Sequence, residues 1–152
     1  MFESVYERVV AFKRKFPGSV TWRLAKHCDI IEKHINPNEQ ILFAFGGQMN
    51  ENRFQFFDTA VVCLTSERIV IGHKRLFYGY NFITVTPDMY NDLTVEAGLI
   101  WGTIIIDTVK EKITISNLAK KSLPEIETFI TMFMEEAKKQ YPARENHKKV
   151  GE

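Results

Sequence analysis

Long apolar runs, cysteine and any excess of one charge are what this chain of 152 residues has least of. No apolar run approaches the roughly 20 residues that cross a bilayer as a helix, so no spanning segment is expected. The opening MFESVYERVV carries acids early and has no continuous apolar core, so no signal peptide is expected and the expected location is cytoplasmic. Only two cysteines occur, Cys28 and Cys63. They stand far apart, at no metal-binding spacing, and are expected as buried free thiols rather than a disulfide. Lys and Arg total 20 against 19 Asp and Glu, a net charge of +1. A nucleic-acid binder neutralises many phosphates, so this balance argues against nucleic acid as a partner.

Catalytic signatures are missing as well. The sequence has no P-loop, no GxGxxG, no HExxH and no GxSxG. His27 and His34 stand seven apart on one predicted helix, too far for the i, i+4 pair that chelates a metal. His73 falls at a strand end, where solvation or a local hydrogen bond is expected, and His147 lies in the C-terminal tail. Asp88 and Asp92 flank Tyr90 and read as turn formers rather than as a catalytic carboxylate pair. The expectation is a protein that is not an enzyme and carries no cofactor and no metal.

What is present is a pattern of short strands, organised around FDTAVVCLTSER at 57–68 and the IVIG that follows. Ala60, Val62 and Leu64 point one way, Thr59, Val61 and Cys63 the other, and both faces are largely apolar, as in an interior strand of a curved sheet. Thr65, Ser66 and Glu67 suit a hairpin turn, which fixes the register around it. Further strands are expected at 40–48, 54–64, 68–74, 80–86, 93–99, 103–108 and 113–117, with a bulge or turn where Gly98 and Gly102 flank Trp101. Ile41, Phe43 and Phe45 are expected on one face of the first.

Helices bracket this region. Residues 2–16 carry Phe2, Val5, Tyr6, Val9, Val10 and Phe16 at helical spacing and end in Lys13-Arg14-Lys15. Pro17-Gly18-Ser19 breaks that helix, and a second, beginning near Ser19 or Thr21 with Val20, Leu24, Cys28, Ile31 and Ile35 on one side, stops at Asn36-Pro37. The first of the two is expected to pack its apolar stripe on the barrel or on a partner chain, with a membrane surface as the alternative. At the other end, Ser122, Pro124 and Glu125 have the spacing of a helix start, and Ile126, Phe129, Ile130, Phe133 and Ala137 form one stripe. The expected division is 1–38 helical hairpin, 39–140 barrel with its capping helix, and 141–152 polar tail.

Seven short strands followed by one amphipathic helix resembles the order of pleckstrin-homology-like barrels. The run VVCLTSERIVI is similar to the leucine-threonine-x-x-arginine hairpin of bacterial pleckstrin-homology-like domains. GLIWGTIIIDT with KITISNLAKKSLPEIETFI resembles their last strands and helix, and NPNEQILFAF their lead-in to the first strand. The resemblance spans roughly residues 39–140. It implies an α+β, mainly β fold, a PH-like barrel of seven antiparallel strands closed by the C-terminal helix, with Phe129 and Phe133 as its stopper. It also implies a non-catalytic module that binds a lipid headgroup, a peptide or another copy of itself. The loop MNENR offers only Arg53 where phosphoinositide-binding relatives place several cations, which argues against an inositol phosphate.

In that fold the loops after strands one, three and six would gather at one end, bringing Arg53, Lys74, Arg75, Lys110 and Lys112 to one rim suited to an anionic membrane surface or a phosphate. Leu76, Phe77 and Tyr78 form an apolar tip that calls for a partner. The leading expectation is a protein partner or self-association. Recruitment to an anionic membrane, and a small-molecule carrier or enzyme with a pocket between helical hairpin and barrel, are the alternatives.

Overall fold

The computed structural model describes residues 4–19, 21–49, 59–75 and 78–150, the last ten of these by their backbone only. Within them, two helices, α1 (Val5–Lys15) and α2 (Leu24–His34), precede seven strands. The strands are β1 (Ile41–Gln48), β2 (Thr59–Thr65), β3 (Ile69–Lys74), β4 (Tyr80–Val85), β5 (Tyr90–Ala97), β6 (Trp101–Thr108) and β7 (Lys112–Ala119). A 3-10 turn (Lys120–Ser122) then leads into α3 (Leu123–Val150). Every paired strand is antiparallel, and the sheet order is β4-β3-β2-β1-β7-β6-β5. The sheet is therefore two meanders, β1–β4 and β5–β7, curled into a half-barrel. They meet at a seam where, among the described residues, the one register pair is Gln48 with Ser116.

The concave side holds the main core: Phe43, Phe45, Val62, Leu64, Ile69, Ile71, Ile104, Ile106, Ile115 and Leu118, sealed by Ile126, Ile130 and Met134 of α3. The outer face of β1–β3 is equally dry, because α1 and α2 lie on it. Val5, Val9, Cys28 and Ile31 pack there against Ala44, Val61, Cys63 and Val70. This is why all seven residues of β2 are buried: one set of side chains faces the barrel and the other faces the helices. Two glycines let α2 approach so closely. A Cβ at Gly72 would sit 2.8 Å from the carbonyl oxygen of His27, and one at Gly46 would sit 2.7 Å from Leu24.

Several local expectations are corrected. The stopper of the barrel is the Ile126–Ile130–Met134 edge of the α3 stripe, fully buried, while Phe129 stays 42% exposed and lies flat on Phe43 at 4.6 Å; Phe133 is half-buried. Ser122 does not cap α3; its hydroxyl donates to the Ala119 carbonyl at 2.6 Å inside the 3-10 turn. A bulge between Ile41 and Phe43 turns Ile41 away from the phenylalanine face and onto the helix side. α3 runs on through Pro142 to Val150, and the residues after the proline are mostly good helix formers. α1 buries Phe12, absent from the expected stripe, against the rings of Phe43 and Phe45, while Tyr6 is 47% exposed.

Candidate functional site

The hairpin between β2 and β3 is locked from a distance. The Thr65 hydroxyl accepts the backbone N–H groups of Glu67 and Arg68, both at 3.1 Å, and donates to the Glu39 carboxylate. Arg68 grips the same carboxylate with two bonds, Nε to Oε2 at 3.0 Å and Nη2 to Oε1 at 3.1 Å. Its remaining donors reach the Thr84 hydroxyl and the His34 carbonyl at the end of α2, and its guanidinium lies over Phe82. Burial alone would push the Glu39 carboxyl up. The bonds from Arg68, Thr65 and the Asn36 N–H, with the Arg68 charge, outweigh it and hold the carboxyl below the usual carboxylate range. One ion pair thus ties α2, the lead-in to β1, the hairpin and β4 together. It is structural, since the Glu39 side chain has no exposure to solvent.

A second polar cluster fastens the start of α2 to the ends of β2 and β3. The Lys74 N–H donates to His27 Nδ1 at 2.8 Å, which assigns the ring proton to Nε2, and that nitrogen donates to the Thr59 hydroxyl at 3.0 Å. Thr59 passes its own proton to the Trp22 carbonyl at 2.7 Å, and His73 Nδ1 donates to the Thr59 carbonyl at 2.7 Å. The two imidazoles stack at 5.4 Å. Burial, then the neighbouring His73 and Arg23, push the His27 pKa down to about 4, so this ring is neutral. Both histidines are structural, and no group of three or more His, Cys, Asp or Glu that could hold a metal occurs among the described residues. Burial pushes the Cys28 and Cys63 thiols up to about 12, and both are free.

Above these histidines lies an exposed surface rich in aromatic rings and arginine. Arg23, just before α2, adopts a left-handed backbone (φ 57°), lies over the Trp22 ring and reaches the Arg75 carbonyl at 3.4 Å. Arg75 closes the β3–β4 turn through its N–H to the Gly79 carbonyl at 3.1 Å, and its guanidinium holds Asn81. Tyr78, 87% exposed, stands on that turn, and Tyr80, 47% exposed, follows with its hydroxyl 3.3 Å from His34 Nε2. Trp22 itself is 42% exposed.

Of the residues expected at a binding rim, Lys74, Arg75 and Tyr78 belong to this surface. Arg53, Leu76 and Phe77 lie outside the described residues. Lys110 stands exposed in the β6–β7 turn, which a bond from the Val109 N–H to the Met89 carbonyl ties to the β4–β5 loop. Lys112 opens β7 opposite Asp107, a cross-strand partner of opposite sign. Trp22, Arg23 and Tyr80 were missed by the sequence reading. The signal for them was an aromatic–arginine dipeptide at a helix start and a tyrosine closing a turn, but their convergence depends on α2 crossing to β3.

With this architecture in hand, the profile of the family described as "Bacterial PH domain" matches residues 35–132. The chain belongs to the bacterial PH domain family. The match runs from the end of α2 into α3 and so includes all seven strands of the half-barrel. This PH domain is also similar to two solved structures. One is a DUF1696-family protein with a pleckstrin-homology domain from Shewanella loihica PV-4, at 13% identity and a TM-score of 0.46, covering 77% of this chain and 94% of that one. The other is a pleckstrin homology domain from Shewanella amazonensis SB2B, at 11% identity and a TM-score of 0.45, covering 85% and 98%. No curated protein matches the sequence.

Proposed function

We propose that this PH domain is a non-catalytic docking module that binds a protein partner through the Trp22–Arg23–Arg75–Tyr78–Tyr80 surface. The observation that carries the reading is the composition of that surface: Trp22 and Arg23 before α2, Arg75 and Tyr78 in the β3–β4 turn that Arg23 reaches, and Tyr80 opening β4 with its hydroxyl at the far end of α2. These are the residue types that dominate the energetics of protein interfaces, since each offers large rigid contact area and a polar handle at once. The left-handed backbone at Arg23 costs about 1 kcal/mol, and such strain collects where a side chain must be aimed. The carrier or enzyme alternative has less support. Helices α1 and α2 pack directly on the sheet, and the groove remaining near Arg8 and residues 37–42, about 470 Å³, is open.

Self-association is the form of this reading that is testable on the purified chain. Light scattering across a concentration series should give a mass above the 17.7 kDa monomer, and Tyr78→Asp should return it to the monomer. A monomer at every concentration removes a second copy as the partner. An oligomer indifferent to Tyr78→Asp removes this surface from its interface.

A further inference from the structure

Leu99 and Ile100 form the two central residues of the β5–β6 turn, closed by the Gly98 N–H to the Trp101 carbonyl at 2.9 Å. Turn centres favour glycine, asparagine and aspartate, for reasons of backbone freedom and local hydrogen bonding. Here they are aliphatic, 94% and 66% exposed, so the fold gains almost nothing from burying them. Trp101 follows, 36% exposed, with its indole N–H already satisfied by the Gly18 carbonyl at 3.1 Å. Cations stand on the elements that adjoin Trp101. Lys120 and Lys121, both exposed, come directly after Ala119, the ladder partner of Trp101. Arg14, also exposed, sits in the last turn of α1, just before the Gly18 segment that holds the indole. Lys15 is there too, paired with Glu125 at 2.9 Å, and Glu96 stands on the adjoining strand.

We infer that this tip is a docking point for an anionic lipid surface. A two-residue aliphatic protrusion offers a protein partner little area, but a fluid bilayer closes around it without needing a matching pocket. The tryptophan, its polar group satisfied by the chain itself, sits at the depth of the headgroup boundary where such rings collect. Arg14, Lys120 and Lys121 then lie against the negative surface, each adding to the attraction and each screened by salt. The inference is independent of the protein-docking surface and rests on different residues.

The test is co-sedimentation of the purified chain with vesicles of mixed phosphatidylglycerol and phosphatidylcholine, against phosphatidylcholine alone. Binding is expected only to the anionic vesicles and should weaken as salt is raised. The exposed pair Leu99→Ser with Ile100→Ser should cut partitioning on the order of 100-fold without moving the unfolding midpoint. Lys120→Gln with Lys121→Gln should cut it roughly 25-fold. In a Trp22→Phe background Trp101 is the remaining tryptophan of two, and its emission should shift to the blue on anionic vesicles. Absence of binding at low salt, binding that the tip variant leaves unchanged, or an unshifted Trp101 emission would each overturn the inference. Protein docking is read as mass without lipid, so the two readings fail separately.

Discussion

Replacing Arg68 by alanine strikes the one point where α2, the lead-in to β1, the β2–β3 hairpin and β4 are joined. The change removes two bonds to a carboxylate with no solvent exposure, and also the caps on Thr84 and the His34 carbonyl. Most of the cost is the charge left behind, because water cannot reach Glu39 to replace the guanidinium. Breaking one side of a buried pair costs about 3–5 kcal/mol. For a chain of this size that lowers Tm by roughly 6–20 °C, which thermal and denaturant unfolding can both read. The sign of the pH dependence gives a second check. In the wild type the Glu39 carboxyl is held low, so its stabilisation is present above its ordinary value of 4.5 and is lost as pH falls through the folded pKa. Without Arg68, burial dominates and the folded pKa rises above the ordinary value. The variant's deficit should therefore shrink on acidification. Glu39→Leu with Arg68→Met should recover much of the loss, giving a coupling of about 2 kcal/mol or more in the double-mutant cycle. A cost for Arg68→Ala below about 1 kcal/mol, or singles that simply add, would refute the lock.

Two further perturbations probe how α2 is held. His27 has a folded pKa of about 4 against an ordinary 6.5, so stability should fall as pH drops from 6.5 toward 4, by at most about 3 kcal/mol, and His27→Gln should flatten that slope in urea unfolding. Gly72→Ala places a Cβ against the His27 backbone carbonyl at 2.8 Å and should cost about 1–3 kcal/mol by the same measurement; an unchanged midpoint would mean that α2 does not press on β3.

The architecture was legible because its signals are local. Alternation, turn residues and the periodic stripe of the last helix lie within windows of a few residues, and the strands came out within about three residues of their observed bounds, save that the expected start of the second, 54–58, lies outside the described residues. Three kinds of detail were not. A bulge such as that between Ile41 and Phe43 leaves no mark in composition, yet it reassigns a side chain to the other face. Asn117 reads as a strand end, but its left-handed backbone (φ 55°) is accommodated within β7, which runs on to Ala119 and buries Leu118. On α3 the periodicity found the stripe but not its deepest edge, since adjacent helix positions differ by about 100° and the curvature of the sheet chooses between them. The binding surface was the least legible part. Trp22 and Tyr78 are 56 positions apart in the chain, and Glu39 looks like one more turn residue until Arg68 is seen beside it.

Among the described residues the β1–β7 seam holds one register pair, Gln48 with Ser116, and that sparse joint bears on how the molecule assembles. Each meander is wired between sequence neighbours, so each can zip up early at little entropic expense. Where Gln48 meets Ser116, where the Gly18 carbonyl takes the Trp101 indole, and where the long terminal helix swings across, the two halves of the chain meet. The climb to the native state is thus concentrated in joining two prefabricated halves. Loosening that joint should slow their union far more than it alters either half.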